Sequence, residues 1–453
     1  ASTIARLTLL AVGVAGALAA ADANAAAFQL KENSAKGLGR AFAGSGSAPG
    51  DASVIATNPA AMRHLKETQF QADVSAISFS ADFKGGGRLP SFTTGPGTGA
   101  PLTGGNGGDA GTIAAVPAAY FHTMIGEKAH LGASLTVPFG FKTEYDRNWV
   151  GRYHGVKTDL KAVDLGAAFS YDVNPYVSFG VSVFYEHLAI ELSNAVDFGA
   201  VAYGATNGAS AALGLYPGSA DGFATIEGKN NAWGYVLGAT FSVTEDTNIA
   251  LSYRSKVKHK IDDGKATFDV PGNVATALQT QARGIFVNTG GKAELTLPAS
   301  ATLSLTHRVN DRWTVMGDLS RTAWAPSFDQ VVVDFASNQP NNVLVFGYDD
   351  TTFASIGAEY KLSDTVTLRG GVAYDQTPTT DAHRDVRVPD VSRRWLSFGL
   401  GWTPSEKTQF DFGYTHLFTN DPSINITSAT GSTLKGSYDV RGDVLGASIN
   451  YKF

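Results

Sequence analysis

The stretch ELTLPASATLSLT, from Glu294 to Thr306, alternates over its whole length. Leu295, Leu297, Ala299, Ala301, Leu303 and Leu305 are apolar; Glu294, Thr296, Pro298, Ser300, Thr302, Ser304 and Thr306 lie between them. Successive side chains of a strand point to opposite faces, so the stretch carries one greasy and one wetter face. A strand of this length and division suits a barrel wall, with lipid outside and a polar interior.

The same period recurs on both sides of it. Val163, Leu165, Ala167, Phe169 and Tyr171 alternate with Asp164, Gly166, Ala168, Ser170 and Asp172. Ile249, Leu251 and Tyr253 alternate with Ser252 and Arg254, and Phe410, Phe412 and Tyr414 with Gln409, Asp411 and Thr415. Fourteen strands are expected, starting near 68, 112, 129, 157, 176, 228, 247, 292, 312, 350, 364, 392, 407 and 440. Short connections fall near 126–128, 174–175, 245–246, 310–311, 363–364 and 404–405. Long ones fall near 84–111, 143–156, 193–227, 263–291, 337–349, 377–391 and 419–439, in strict alternation with the short ones. Bacterial barrels have an even strand number, short inner turns and long outer loops. A soluble sandwich has no reason to send every long loop to one end. The expected fold is all-β, a 14-stranded antiparallel transmembrane β-barrel over residues 68–453.

Composition narrows the function classes. A formal net charge of -6 points away from a nucleic-acid partner. The 453 residues include 51 glycines and no cysteine, which removes disulfides, thiolate metal sites and cysteine nucleophiles. Residues 1–25 read as a secretory signal: Arg6, an apolar run from Leu7 to Ala20, and the small-x-small site Ala23, Asn24, Ala25. Residues 26–67 are rich in Gly, Ala and Ser and lack alternation. At the other end Leu445, Ala447, Ile449, Tyr451 and Phe453 alternate to the terminus, and a terminal aromatic resembles the signal read by the barrel assembly machinery.

Two breaks interrupt the pattern. Phe70, Ala72 and Val74 are even-numbered whereas Ile77, Phe79, Ala81 and Phe83 are odd, which predicts a bulge near Ala76. In the third strand Pro138, Phe139 and Gly140 stop the run. Proline cannot donate to a ladder and glycine bends easily, so a kink is expected there.

The segment from Phe28, Gln29 and Leu30 through Gly37, Leu38, Gly39, Arg40 and Ala41, then Gly44, Gly46, Asn58, Pro59 and Ala60, resembles the start of the FadL family of outer-membrane long-chain fatty acid transporters. Further pieces follow in family order: Asn231 to Gly234, Tyr253 to Ser255, Leu297 and Pro298, Trp324, Tyr374, Asp375 and Pro378, Arg387 to Asp390, and Arg394 with Trp395. The resemblance implies a barrel in the Gram-negative outer membrane, amid lipid and lipopolysaccharide, its lumen plugged by an N-terminal hatch over 26–67. Within the hatch, Gly37, Gly39, Asn58, Pro59 and Ala60 are the matching residues. It also implies passive carriage of a long-chain fatty acid or other hydrophobic small molecule, caught by outer loops, held in a pocket near Phe28, and released sideways at a third-strand kink. Pro138 and Gly140 stand where that kink belongs. The chain departs from the family at the basic head-group positions, which align with Glu186, His187 and Val332. That departure leaves room for the branch that admits toluene-like hydrocarbons.

Candidate substrate contacts follow. The loop 193–227 carries Phe198, Tyr203 and Leu215, and the loop 263–291 carries Phe268; an exposed apolar patch of this kind marks a binding surface. Arg254, Lys256, Lys258 and Lys260 share one strand face and are expected to point into the lumen, either to meet a carboxylate head or to pair with acids such as Asp164, Glu186 or Asp411. Asn58 and Pro59 are read as structural. No complete G-x-S-x-G and no H-E-x-x-H occurs, so no enzyme, cofactor or metal site is expected. A monomer is expected. The rival reading, a general diffusion porin, lacks a plug.

Overall fold

A computed structural model of the protein describes residues 29–92, 94–276 and 284–453. The expected leader and Phe28 lie outside the described residues. Among the described residues, nineteen ladder segments form one antiparallel sheet that closes on itself. Five strands are interrupted once each, so the barrel has fourteen strands. They are β1 (Gln69–Arg88), β2 (Ile113–Ile125), β3 (Ala129–Glu144), β4 (Lys157–Asn174), β5 (Val177–Asp197), β6 (Asp221–Ser242), β7 (Thr247–Arg254 and Val257–Asp269), β8 (Thr289–Leu297 and Ala299–Arg308), β9 (Trp313–Ala323 and Gln330–Phe335), β10 (Asn342–Val345 and Thr351–Lys361), β11 (Val366–Asp375), β12 (Arg393–Ser405), β13 (Thr408–Phe418 and Ser423–Thr427) and β14 (Thr433–Lys452). β6 and β14 start earlier than expected, because their ladders run on past the apolar band, to Asp197 opposite Asp221 and Arg88 opposite Thr433.

The outer face is apolar around the wall: Leu165, Val183, Leu251, Leu303, Ile356 and Phe398 are exposed. Aromatic residues border this band. Tyr171, Tyr176, Trp313, Trp402 and Tyr451 sit near the short turns, and Tyr185, Trp233, Tyr253 and Tyr374 toward the long loops. This is the outer surface of a barrel solvated by lipid, with amphipathic rings at the two interfaces.

The inner face changes character along the axis. On β1 the inward residues Gln69, Gln71, Asp73 and Ser75 are polar, and further on Ile77, Ala81 and Phe83 are apolar. The pairing of β1 with β14 is continuous and odd residues face inward throughout, so the expected bulge near Ala76 does not occur. What changes there is the polarity of the lumen, not the phase of the strand.

In β7 and β8 the phase itself inverts. Arg254 pairs with Ser300 and Val257 with Leu297, leaving Ser255 and Lys256 opposite Pro298 and Ala299. Before the break Ala250 and Ser304 point inward; after it Val257, His259 and Ile261 do, with Leu295 and Leu297. Glu294 to Thr306 is therefore two half-strands, with Leu303 and Leu305 on the lipid side and Leu295 and Leu297 inside. The break also corrects the expected lysine face. Lys256, Lys258 and Lys260 are exposed on the outer surface, where Lys258 and Lys260 pair with Glu294 at 2.5 and 3.8 Å.

Residues 30–65 are mostly buried against the polar inner level. Two single-turn helices, α1 (Ala35–Leu38) and α2 (Val54–Thr57), precede a 3-10 turn at Pro59–His64. Ser34 caps α1, its hydroxyl accepting from Gly37 N at 2.9 Å. Asn58 accepts from Ala60 N at 3.2 Å and donates to Gly46 O at 3.1 Å, with Pro59 opening the turn. Wall side chains satisfy backbone donors that helices this short cannot. Ala35 N donates to Asp73 at 2.9 Å and Gly44 N to Asp318 at 2.7 Å. Arg40 reaches Glu359 at 2.7 Å, and Glu359 also pairs with Arg369 at 3.0 Å.

Candidate functional site

Above the polar level lies an apolar cavity lined by Leu160, Ile190, Ile261, Leu295, Phe328 and Val388 among others. Ile261 and Leu295 face it because β7 and β8 invert their phase just below. Arg387 and Thr158 also stand in its wall. Arg387 lies on the loop between β11 and β12. It is held by bonds from Nη1 to Ser193 O at 3.2 Å and from Nη2 to Asn194 Oδ1 at 3.1 Å, and Thr143 donates to its carbonyl at 2.9 Å. Burial lowers the Arg387 pKa and raises that of neighbouring Asp385. His154, on the loop before β4, is pushed down to about 3 by burial and then by the Arg387 charge, so it is neutral.

An aromatic column leads from the cavity to the barrel wall. Phe328 packs edge-on to Trp324 at 5.9 Å, and Trp324 edge-on to Phe139 at 6.2 Å. Phe141, Leu188, Leu297 and Tyr348 complete the same buried cluster.

Phe139 belongs to the irregular part of β3. The register to β4 shifts between Thr136 and Phe139, across Pro138. On its other side β3 pairs with β2 only from Ala129 to Leu135, opposite Ile125 to Ala119. From there to Glu144, whose N donates to Ala110 O at 3.1 Å, no ladder joins the two strands. The ladder is thus broken over one window, with Pro117 on the β2 side and Pro138 on the β3 side; neither can donate a backbone hydrogen bond. The described chain starts at this window, where Gln29 bridges to Phe139 and Leu30 N donates to Pro138 O at 2.8 Å. A mixed polar cavity sits behind it, lined by Gln29, Lys31, Thr136, Pro138 and Arg254 among others.

The structure sorts the expected contacts. Arg254 does face inward, but it pairs with Asp164 at 2.8 Å and Glu186 at 2.9 Å and lies 4.0 Å over the Phe184 ring. Its charge is already met. Lys256 is outside the lumen. Phe198, Tyr203 and Leu215 are not an exposed patch: they are 0%, 7% and 6% exposed. Phe198 packs on Phe286 at 4.9 Å, Phe268 on Phe286 at 5.6 Å, and Tyr203 on Phe92 at 5.1 Å with its hydroxyl on Thr94 O. Loops this rich in apolar side chains bury them against one another, since water solvates such surface poorly. Ile261 and Leu295 were hidden in the sequence because the phase inversion disguises them as lipid-facing; Pro298 inside an alternating run was the available signal.

A closed fourteen-strand barrel with a lipid-matched belt and an interior layered from polar to apolar is a transmembrane β-barrel. The model of the outer membrane protein transport protein family (OMPP1/FadL/TodX) matches residues 16–453, and the chain belongs to that family. It is therefore an outer-membrane protein. Outer membrane protein P1 of Haemophilus influenzae is 29% identical over 460 residues, 96% of this chain and 97% of that protein. The long-chain fatty acid transport protein of Escherichia coli K12 is 28% identical over 470 residues, 98% of each chain. The crystal structure of a Pseudomonas aeruginosa FadL homologue superimposes with a TM-score of 0.84 at 26% identity, covering 95% of this chain and 100% of that one.

Proposed function

We propose that the protein carries long-chain fatty acids passively across the outer membrane, from the apolar cavity along the aromatic column to the window between β2 and β3. The observation that carries this reading is the unbroken apolar contact from Phe328 through Trp324 to Phe139, ending at a gap in the wall. A greasy substrate partitions poorly into an aqueous pore, so linked apolar sites serve it better. A lateral exit delivers it into the bilayer, where it is already more stable. In this reading residues 29–67 act as the hatch that blocks polar solutes, and Phe453 on the final alternating strand is the assembly signal.

Passage of small aromatic hydrocarbons is the second reading. It is favoured by Glu186, His187 and Val332 at positions where the family's head-group bases align. Growth on oleate against growth on toluene, in a host lacking its own transporter, separates the two. Oleate-dependent growth supports the fatty-acid reading, and growth on toluene alone removes it.

A further inference from the structure

Six arginines are buried among the described residues: Arg40, Arg152, Arg369, Arg384, Arg387 and Arg393. Five have a carboxylate partner: Glu359 for Arg40 and Arg369, Asp221 for Arg152, Asp381 for Arg384 and Asp375 for Arg393. Arg387, 5% exposed, has none among the described residues. Its guanidinium donates to Ser193 O and Asn194 Oδ1, both neutral. The nearby Asp385 carboxylate accepts instead from the Arg387 backbone N, at 2.7 Å. Asp385 acts on the Arg387 charge without forming an ion pair with it. A buried cation without a directly bonded counter-charge is costly and is normally paired.

The surroundings point to a ligand. Arg387 stands in the wall of the apolar cavity. Thr158, in the same wall, has a buried hydroxyl without a hydrogen-bond partner. The other charged residues bordering the cavity, Glu227, Lys265 and Lys292, are exposed. The wall of a greasy cavity thus holds a buried cation and an unsatisfied hydroxyl.

We propose that Arg387, with Thr158, anchors the anionic head of an amphiphile whose hydrocarbon chain lies in the cavity. This rests on the fatty-acid reading and deepens it. A carboxylate takes two parallel N–H bonds from a guanidinium and supplies a directly bonded counter-charge. With the head held at the outer-loop end, the tail points down the aromatic column, so the chain enters the window tail first. Arg387 is then the residue that distinguishes an acid from a hydrocarbon, a role that Arg254 cannot take because its charge is spent on Asp164 and Glu186.

The test uses the full-length protein in lipid nanodiscs and measures the Kd of oleate and of uncharged oleyl alcohol. Arg387→Met is expected to weaken oleate binding by about tenfold or more and to leave oleyl alcohol within about twofold. Arg387→Lys is expected to restore part of the loss, and Thr158→Val to cause a smaller one. Equal loss of both ligands assigns Arg387 to loop support alone and overturns the proposal, as does no loss of either. If the unaltered protein binds toluene but neither long-chain ligand, the fatty-acid reading fails first, and the proposal with it.

Discussion

Gly39 and Gly399 meet backbone to backbone: a Cβ placed on either one would lie 2.7 Å from the Cα of the other. Gly39 follows α1, and Gly399 lies on the inner face of β12. Two further wall glycines are crowded in the same way, Gly413 by Ala35 O at 2.5 Å and Gly180 by Ala60 N at 2.4 Å. Part of the high glycine content is thus explained by an N-terminal segment seated directly on the wall. Gly399→Val is expected to destabilise the seated segment by about 1–3 kcal/mol. A lower Tm in thermal unfolding, with a rise in small-solute conductance, is the expected outcome; an unchanged Tm and conductance would place the two glycines farther apart than described.

Removal of residues 29–60 is expected to leave a folded barrel, because the ladders of β1 to β14 close without it. The polar inner residues Asp73, Asp318 and Glu359 would then face water. Leakage of small sugars in planar bilayers should rise, and oleate uptake should fall to background. A deletion that stays as tight as the full protein would show that the segment does not block the lumen.

Filling the cavity should separate binding from assembly. Ile261→Trp adds bulk where Leu295 and Phe328 already line the space. It is expected to weaken oleate binding by about tenfold, in line with the 1–3 kcal/mol typical of overpacking. The control Leu303→Trp, on the lipid side of β8, should leave binding unchanged. Equal effects of the two substitutions would put the substrate elsewhere.

Much of the wall was legible in the sequence, since alternation, loop lengths and strand number follow from a strand that has lipid on one face. The register shift across Pro138 has a local cause, because a missing N–H and a flexible neighbour act locally. The lumen was harder to read. Alternation says which residues share a face but not which face is inside, so the inversions at Ser255–Lys256 and Pro298 turned Lys256 outward and Leu295 inward. On β1 a change in what fills the lumen mimicked a change of phase. Burial of Phe198, Tyr203 and Leu215 depends on partners far along the chain, such as Phe286 and Phe92, which no local pattern records. Arg387 was visible within a family motif, but its lack of an ion-pair partner is a property of three dimensions.

Restoring regular pairing should close the exit. Pro138→Val with Gly140→Thr supplies an amide donor and removes a flexible point, so β3 can continue its ladder toward β2. Oleate uptake at equal surface abundance is expected to fall several-fold (about 1 kcal/mol in the barrier). Unchanged uptake would argue that the register shift is not on the route.

Because the chain has no native cysteine, the window itself can be bridged at will. Ala115→Cys on β2 and Lys142→Cys on β3 place one thiol on each side of the gap, and a flexible, reducible cross-linker joins them. Oleate uptake is then measured before linking, after linking and after reduction. Lateral release predicts full uptake, near-complete loss, and recovery. Uptake that persists while the cross-link is complete would contradict it.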